Sequence, residues 1–168
     1  MELFDNLLPL KTKRLIIKKT TISNLDLLLK MDKQEITQKY LGGIKNKTED
    51  ERREFLNNKI NNSNSLTIYL ENKPIGFCEL KFNNNKASLS YIFDNDYWNN
   101  GYCTEACEEI INICFNKLEI NCILANTISD NKNSIRVLEK LGFKYQNSFI
   151  KNNITFLNYV KEVNNKKD

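Results

Sequence analysis

Apolar residues in this chain recur at two intervals, and the places where the interval changes mark out its elements. Alternation of period two runs through RLIIKKTT (14–21), SLTIYLEN (65–72), PIGFCELKF (74–82) and ASLSYIFD (87–94), predicting four strands. The NKP turn (72–74) makes the second and third a hairpin, and NNNK (83–86) turns the chain again, so the middle of the sequence reads as an antiparallel meander. Before it, SNLDLLLKMDK reads as a short helix with Ser23 as N-cap. After the loop signal YLGG (40–43), KTEDERREFLNNKI (47–60) reads as a second helix, with Thr48 and Glu51 spaced as a capping box.

From Gly101 the period lengthens. Ala106, Ile110, Ile113, Cys114 and Leu118 form a helical stripe, and the strand NCILANTI (121–128) completes a strand–helix–strand unit. SIRVLEKLG (134–142) is a further amphipathic helix stopped by Gly142, and the strands FKYQNSFI (143–150) and ITFLNYVKEV (154–163) close the chain. The sum predicts an α+β fold: a mixed, mostly antiparallel sheet of six to seven strands with helices on both faces.

Composition narrows the class. At 168 residues, 40% hydrophobic and 27% charged, the chain suits one domain spanning 1–168 with its own core, and no apolar run approaches the roughly 20 residues of a membrane span. MELFDNLLPLKTKR lacks the basic, apolar and small-residue order of a secretory signal, which points to the cytoplasm. The five cysteines agree: their number is odd, and Cys103, Cys107 and Cys114 at helical spacing read as small core residues. The formal charge of +4 comes from interspersed lysines and carboxylates whose clearest basic cluster is Lys166–Lys167, which argues against nucleic acid as a partner. No histidine is present, which excludes Ser-His and Cys-His pairs and any His-containing metal site. No metal is expected, and acid–base work falls to carboxylates, Tyr, Cys, Ser, Lys and bound water.

The stretch YWNNGYCTEA (97–106) holds one of only five glycines, at a strand-to-helix junction. Free backbone N–H groups at a helix N-terminus form a ready phosphate site, and Gly101 lets the backbone approach such a ligand. No G-K-[ST] follows, which excludes a P-loop. Asn99 and Cys103 stand where a dinucleotide fingerprint needs glycines, and the strand is fed by hairpins.

On these residues the chain resembles the GCN5-related N-acetyltransferases (GNAT), and within them the branch of RimJ- and RimL-type ribosomal-protein alanine N-acetyltransferases. The family's pyrophosphate loop runs Q/R-x-x-G-x-G/A, and in this branch often reads like Y-W-G-K-G-Y-A-T-E-A. A second motif, N-x-x-S-x-R-V-L-E-K-L-G-F, is matched by NKNSIRVLEKLGF (131–143). The likeness extends to RLIIKKTT, YLGG and IGFCELKF. It implies a GNAT fold with a splayed parallel strand pair, and acetyl-CoA as co-substrate. The acetyl and pantetheine contacts would fall on the backbone of Tyr91, Ile92 and Phe93. The pyrophosphate would fall on amides within Trp98, Asn99, Asn100, Gly101, Tyr102, Cys103 and Thr104, and Asn131 would add a side-chain contact. Asn99 replaces the first loop glycine and Cys103 a small alanine, and neither change removes an amide donor. Cys103, near a thioester, is also a candidate acyl acceptor.

Acetyl transfer needs a neutral amine, a polarised carbonyl and a proton for the departing thiolate. The family's tyrosine seven residues after the Asn is Leu138 here, so Ser134 is the candidate acid, with helix capping as its alternative role. Where the branch often has a Glu this chain has Ser88. That leaves Glu79 as candidate base, Asp94 next, and a water relay as substitute; a solvated face position is the alternative for both carboxylates. Glu105 reads as a structural carboxylate at a helix N-terminus. Tyr159 reads as a core residue with the acceptor groove as its alternative. The expected reaction moves acetyl from acetyl-CoA to a primary amine, a protein N-terminus or a small molecule, by direct attack in a ternary complex, in a monomer or homodimer. Two other classes stay open: an acyl-CoA-binding module without catalysis, and an RNA- or ribosome-associated adaptor.

Overall fold

The computed structural model describes residues 2–40, 47–62 and 64–163. A short helix α1 (Glu2–Asp5) leads to β1 (Leu10–Lys11) and β2 (Leu15–Lys19), then α2 (Leu25–Lys33), α3 (Glu35–Tyr40) and α4 (Glu49–Asn62). The meander β3 (Asn64–Leu70), β4 (Lys73–Asn83) and β5 (Lys86–Phe93) follows. After it come α5 (Tyr102–Lys117), β6 (Cys122–Ile128), α6 (Lys132–Lys140), β7 (Lys144–Lys151) and β8 (Ile154–Glu162). The strands form one sheet in the order β1-β2-β3-β4-β5-β6-β8-β7, eight in all, and only β5 and β6 run parallel.

Seven of these strands fall on the seven segments expected to be strands. The eighth, β1, is two residues long, too short for an alternation; α1 and α3, of four and six residues, are too short for a helical period. Hairpin turns fall between Leu70 and Lys73 and between Asn83 and Lys86, the first slightly earlier than the NKP signal, with Glu71 and Asn84 at φ of 56° and 52°. Thr48 and Glu51 cap α4 reciprocally: Glu51 N–H donates to Thr48 Oγ1 at 3.3 Å and Thr48 N–H to Glu51 Oε2 at 2.7 Å. Ser23 is not a cap, because it lies inside a 3-10 turn (Ile22–Asn24) whose Asn24 Oδ1 accepts the Thr21 N–H at 3.0 Å. The YLGG signal beyond Tyr40 and the lysines at 166–167 lie outside the described residues.

Two adjacent residues of β4 reveal the layers. Cys78 meets Cys107 of α5, Sγ to Sγ 3.8 Å, whereas Glu79 meets Lys59 of α4 at 2.8 Å. Successive strand residues point to opposite faces, so α5 covers one face of the sheet and α4, with α2, the other. The larger core lies on the α5 face, built on Leu66, Ile68, Leu80, Ile110, Ile123 and Leu138. Leu25, Leu29, Leu56 and Ile60 form a smaller one between α2 and α4.

The start of α5 is fastened to the β1–β2 segment by one carboxylate. Glu105 accepts from Thr12 Oγ1 at 2.5 Å, from the Arg14 backbone N–H at 2.9 Å and from Arg14 Nε at 2.7 Å. Burial alone would raise the Glu105 carboxyl; the bonds from Thr12 and Arg14 and the guanidinium charge outweigh it and hold the group below its ordinary value. Glu105 is thus the structural carboxylate that its place at a helix N-terminus predicted.

A carboxyl depressed on folding contributes stability that is fully present above its unfolded value, about pH 4.3, and is lost as pH falls through the lower folded one. Glu105→Gln should cost about 1–2 kcal/mol at neutral pH, and its melting temperature should fall less steeply than that of wild type below about pH 4. Parallel melting curves across pH would separate Glu105 from this role.

Candidate functional site

The parallel pair is joined over only three positions, Lys86, Ala87 and Ser88 against Cys122, Ile123 and Leu124. Beyond them β5 stays with β4 as far as Phe93, and β6 stays with β8 as far as Ile128. The sheet therefore opens, and its twist carries the two strand ends apart.

Hydrogen-bond alternation decides which groups face the opening. The Asp94 N–H donates to the Ile75 C=O at 3.0 Å, so the same parity commits the backbone of Ile92 and Ser90 to β4. Leu89, Tyr91 and Phe93 aim theirs toward β6. Asn85 has that parity too, and its C=O accepts the Asn121 N–H at 2.9 Å where the strands still pair. Of the three expected contact residues, Tyr91 and Phe93 turn their backbone groups toward the opening and Ile92 turns its own toward β4. The Phe93 C=O is already taken by the Trp98 indole N–H at 2.8 Å.

Past the end of β5 the chain reaches α5 through a left-handed corner. Gly101 is the N-cap of α5 at φ 79°, ψ 2°, and Asn99 sits at φ 61°. A left-handed φ is what Gly101 supplies first, since a side chain built there would find ordinary contact, its nearest neighbour being Arg14 Nη2 at 3.6 Å. Asparagine enters this region more readily than most residues, which explains Asn99 where the family's loop has glycine. The first helical bond runs from Glu105 N–H to Gly101 C=O at 3.0 Å, so the amides of Tyr102, Cys103 and Thr104 are the first-turn donors without a helical acceptor. Arg14 braces the corner: Nη1 donates to the Asn100 C=O at 3.1 Å, and the guanidinium lies 4.5 Å from the Tyr102 ring centroid. The Asn100 side chain donates to the Trp98 C=O at 2.9 Å. An anion fits at this corner, with amide donors ahead of it and a cation beside it.

On the same face, α6 brings a hydroxyl to the opening. Ser134 Oγ lies 2.9 Å from the Tyr91 hydroxyl, which also approaches the Ser134 C=O at 3.2 Å. Sequence reasoning used only the backbone of Tyr91, because nothing in its strand announces that α6 will meet its side chain. Burial pushes the Tyr91 phenol well up, so it stays a proton donor. Ser134 is not the helix cap either. That role belongs to Asn131, whose Oδ1 accepts the Ser134 N–H at 3.1 Å, leaving its Nδ2 for any cofactor contact. Leu138 is 1% exposed in the core, so a tyrosine placed there would overpack it, at a cost of about 1–3 kcal/mol, and would not be a clean gain of a hydroxyl.

On the opposite face, a cleft of about 410 Å³ lies over the opening, lined by Glu79, Lys81, Ser88, Ser90, Leu124 and Asn126 among others. Glu79 is buried here, not a solvated face residue, and is held by Lys59 at 2.8 Å and Lys81 at 3.7 Å. Asp94 is also buried, but it is spent: Lys30 and Gln34 donate to it at 2.7 and 2.8 Å. Burial would raise the Asp94 carboxyl, yet these bonds and the Asp96 N–H hold it below its ordinary value. Tyr159 is a core residue at 4% exposure, edge-on to Tyr145 with ring centroids 6.0 Å apart. Burial pushes the Cys103 thiol up, which keeps it protonated and a poor acyl acceptor. Among the described residues, no group of three or more Cys, Asp or Glu could hold a metal ion.

The acetyltransferase (GNAT) domain family matches residues 14–144. The uncharacterized N-acetyltransferase YnaD of Bacillus subtilis is 26% identical over 146 residues, 83% of this chain and 85% of its own. The crystal structure of an acetyltransferase (GNAT family) from Bacillus anthracis superposes at TM-score 0.81 and 23% identity, over 92% of this chain and 98% of its own. RimL, a ribosomal L7/L12 alpha-N-protein acetyltransferase in complex with coenzyme A, superposes at TM-score 0.74 and 15% identity, over 90% and 95%. At these identities the two structures speak for the fold.

The left-handed φ of Gly101 makes a β-branched side chain there strained whatever space it finds, so the position bears on stability as well as on binding. Gly101→Val should lower stability by about 1–2 kcal/mol as well as weaken acetyl-CoA binding, whereas Gly101→Asn should retain most of both. Melting curves and calorimetric titration decide it; an unstrained, fully stable Gly101→Val would refute the conformational role.

Proposed function

The chain belongs to the GNAT acetyltransferase family and takes acetyl-CoA as its acyl donor; we propose that it passes the acetyl group, by direct attack in a ternary complex, to a primary amine of a small molecule or a protein N-terminus. The observation that carries this reading is the opening between β5 and β6, with amide donors on one face and a carboxylate-bearing cleft on the other. Amides of Tyr102, Cys103 and Thr104 hold the pyrophosphate, and the Tyr91 and Phe93 edge aligns the arm that passes through the sheet. Tyr91 and Ser134 hold a proton for the departing sulfur: when the Tyr91 hydroxyl donates to Ser134 Oγ, the Ser134 O–H is left to point at it. Glu79 receives the proton of the amine, directly or through one water. Lys59 keeps that carboxylate turned along the cleft wall.

Within the family, YWNNGYCTEA and NKNSIRVLEKLGF favour the RimJ/RimL-like branch. No helix among the described residues is long and apolar enough to cross a membrane. The five cysteines are all free thiols, and from them we infer a cytoplasmic enzyme. A module that binds acyl-CoA without turnover is the second reading, favoured by the buried Leu138 in the usual tyrosine position.

Ser134→Ala and Tyr91→Phe should each lower kcat by about 10 to 1,000-fold while acetyl-CoA affinity stays nearly unchanged. Because Asn131 is the cap, Ser134→Ala should be folded as well as wild type. Activity should rise with pH, and Glu79→Gln should lower the rate and change that limb; an unchanged rate and limb would move the proton to water alone. Thiol release by wild type from none of a broad panel of amines, with acetyl-CoA bound, would select the binding module.

A further inference from the structure

Resting on this transferase reading, we propose that the acceptor is an amine carrying an anionic group, a carboxylate or phosphate within a few bonds of its nitrogen, and that Lys81 recognises that anion. The charges around the cleft on the α4 face carry the inference. Among the described residues lining it, Glu79 is the one carboxylate, and Ser88, Ser90, Asn126, Gln146 and Asn158 are neutral. Two ammonium groups converge on Glu79, Lys59 at 2.8 Å and Lys81 at 3.7 Å. With Lys59 reaching Glu79 from the neighbouring cleft, positive charge exceeds negative around this carboxylate. The adjoining cleft along α4, about 520 Å³, shares Glu79 and Lys81 and adds Lys59, Phe55 and Asn58.

Depth orders the charges. The side chain of Glu79 is 8% exposed and that of Lys81 is 73% exposed, so the carboxylate sits at the floor and the ammonium at the rim. An amine directed at Glu79 brings its neighbouring substituent past Lys81. A substituent with a second positive charge meets repulsion there, and one with a negative charge meets an ion pair. In the reaction the acceptor nitrogen bonds the acetyl carbon as the carbon–sulfur bond breaks. The amine proton goes to Glu79, and the thiolate takes a proton from the Tyr91–Ser134 pair.

The test is CoA release from acetyl-CoA with matched acceptors at low salt. The peptide amides Ser-Asp-Glu, Ser-Asn-Gln and Ser-Lys-Lys form one arm, and free glutamate, glutamine and spermidine the other, so that a peptide source and a small-molecule source are told apart. The acidic member should lead the cationic one by about tenfold or more in kcat/KM in at least one arm, and the lead should shrink as salt is raised to about 0.5 M. Lys81→Glu should reverse the order while acetyl-CoA affinity and melting temperature hold, since the side chain lies at the surface. A leading cationic member, the absence of any order, an order unmoved by Lys81→Glu, or no release from any member would overturn the proposal. Titration of acetyl-CoA into the same samples separates the failures: bound acetyl-CoA with the wrong order removes only the acceptor class, whereas no binding removes the transferase reading with it.

Discussion

Backbone N–H and C=O groups inside a fold must find partners, and this sheet withholds them along one line. Had the β5–β6 ladder continued past Ser88 and Leu124, Tyr91 and Phe93 would be bonded across the sheet like any strand interior. Instead β5 follows β4 and β6 follows β8, each with its own twist, and along the opening Tyr91 has no strand across from it, while the Phe93 C=O is met by the Trp98 indole. A thioester arm with amide groups along its length is suited to take the place of the missing strand. The rest of the site is arranged around that vacancy in the ladder.

The left-handed corner at Asn99 and Gly101 works on the same line. It turns the chain from the end of β5 into α5, so that the first-turn amides of α5 stand close to the opening on one face. Glu105 and Arg14 hold the corner against β2, with Glu105 accepting three bonds from Thr12 and Arg14. Cys78, Cys107 and the surrounding apolar core fix the rest of α5 on the sheet. Stability and binding are therefore coupled at this corner: the strain that Gly101 avoids and the anion that its neighbours would hold occupy the same few residues.

Much of this was legible in the sequence because it depends on local pattern. Strand patterning, the period change at Gly101 and the stop at Gly142 placed seven strands and the helices α5 and α6, and the two motifs pointed to the family. What escaped depends on partners distant along the chain. Ser134 reads as a helix cap until Asn131, three residues earlier, is seen taking its N–H. Tyr91 reads as one more alternating strand residue, and only the packing of α6 shows that its hydroxyl meets Ser134. Glu79 reads as an exposed carboxylate because the lysine that pairs with it, Lys59, lies on another element twenty residues earlier. The parity that separates Tyr91 from Ile92 follows from strand register, which no propensity encodes.

Amide hydrogen exchange, resolved by residue, tests the central claim that the opened ladder holds the acyl donor. On addition of acetyl-CoA, exchange at Tyr91, Tyr102, Cys103 and Thr104 should slow, while Ile92, already bonded to β4, should change little by comparison. Slowing at Ile92 without Tyr91, or no slowing along this edge with acetyl-CoA bound, would contradict the account.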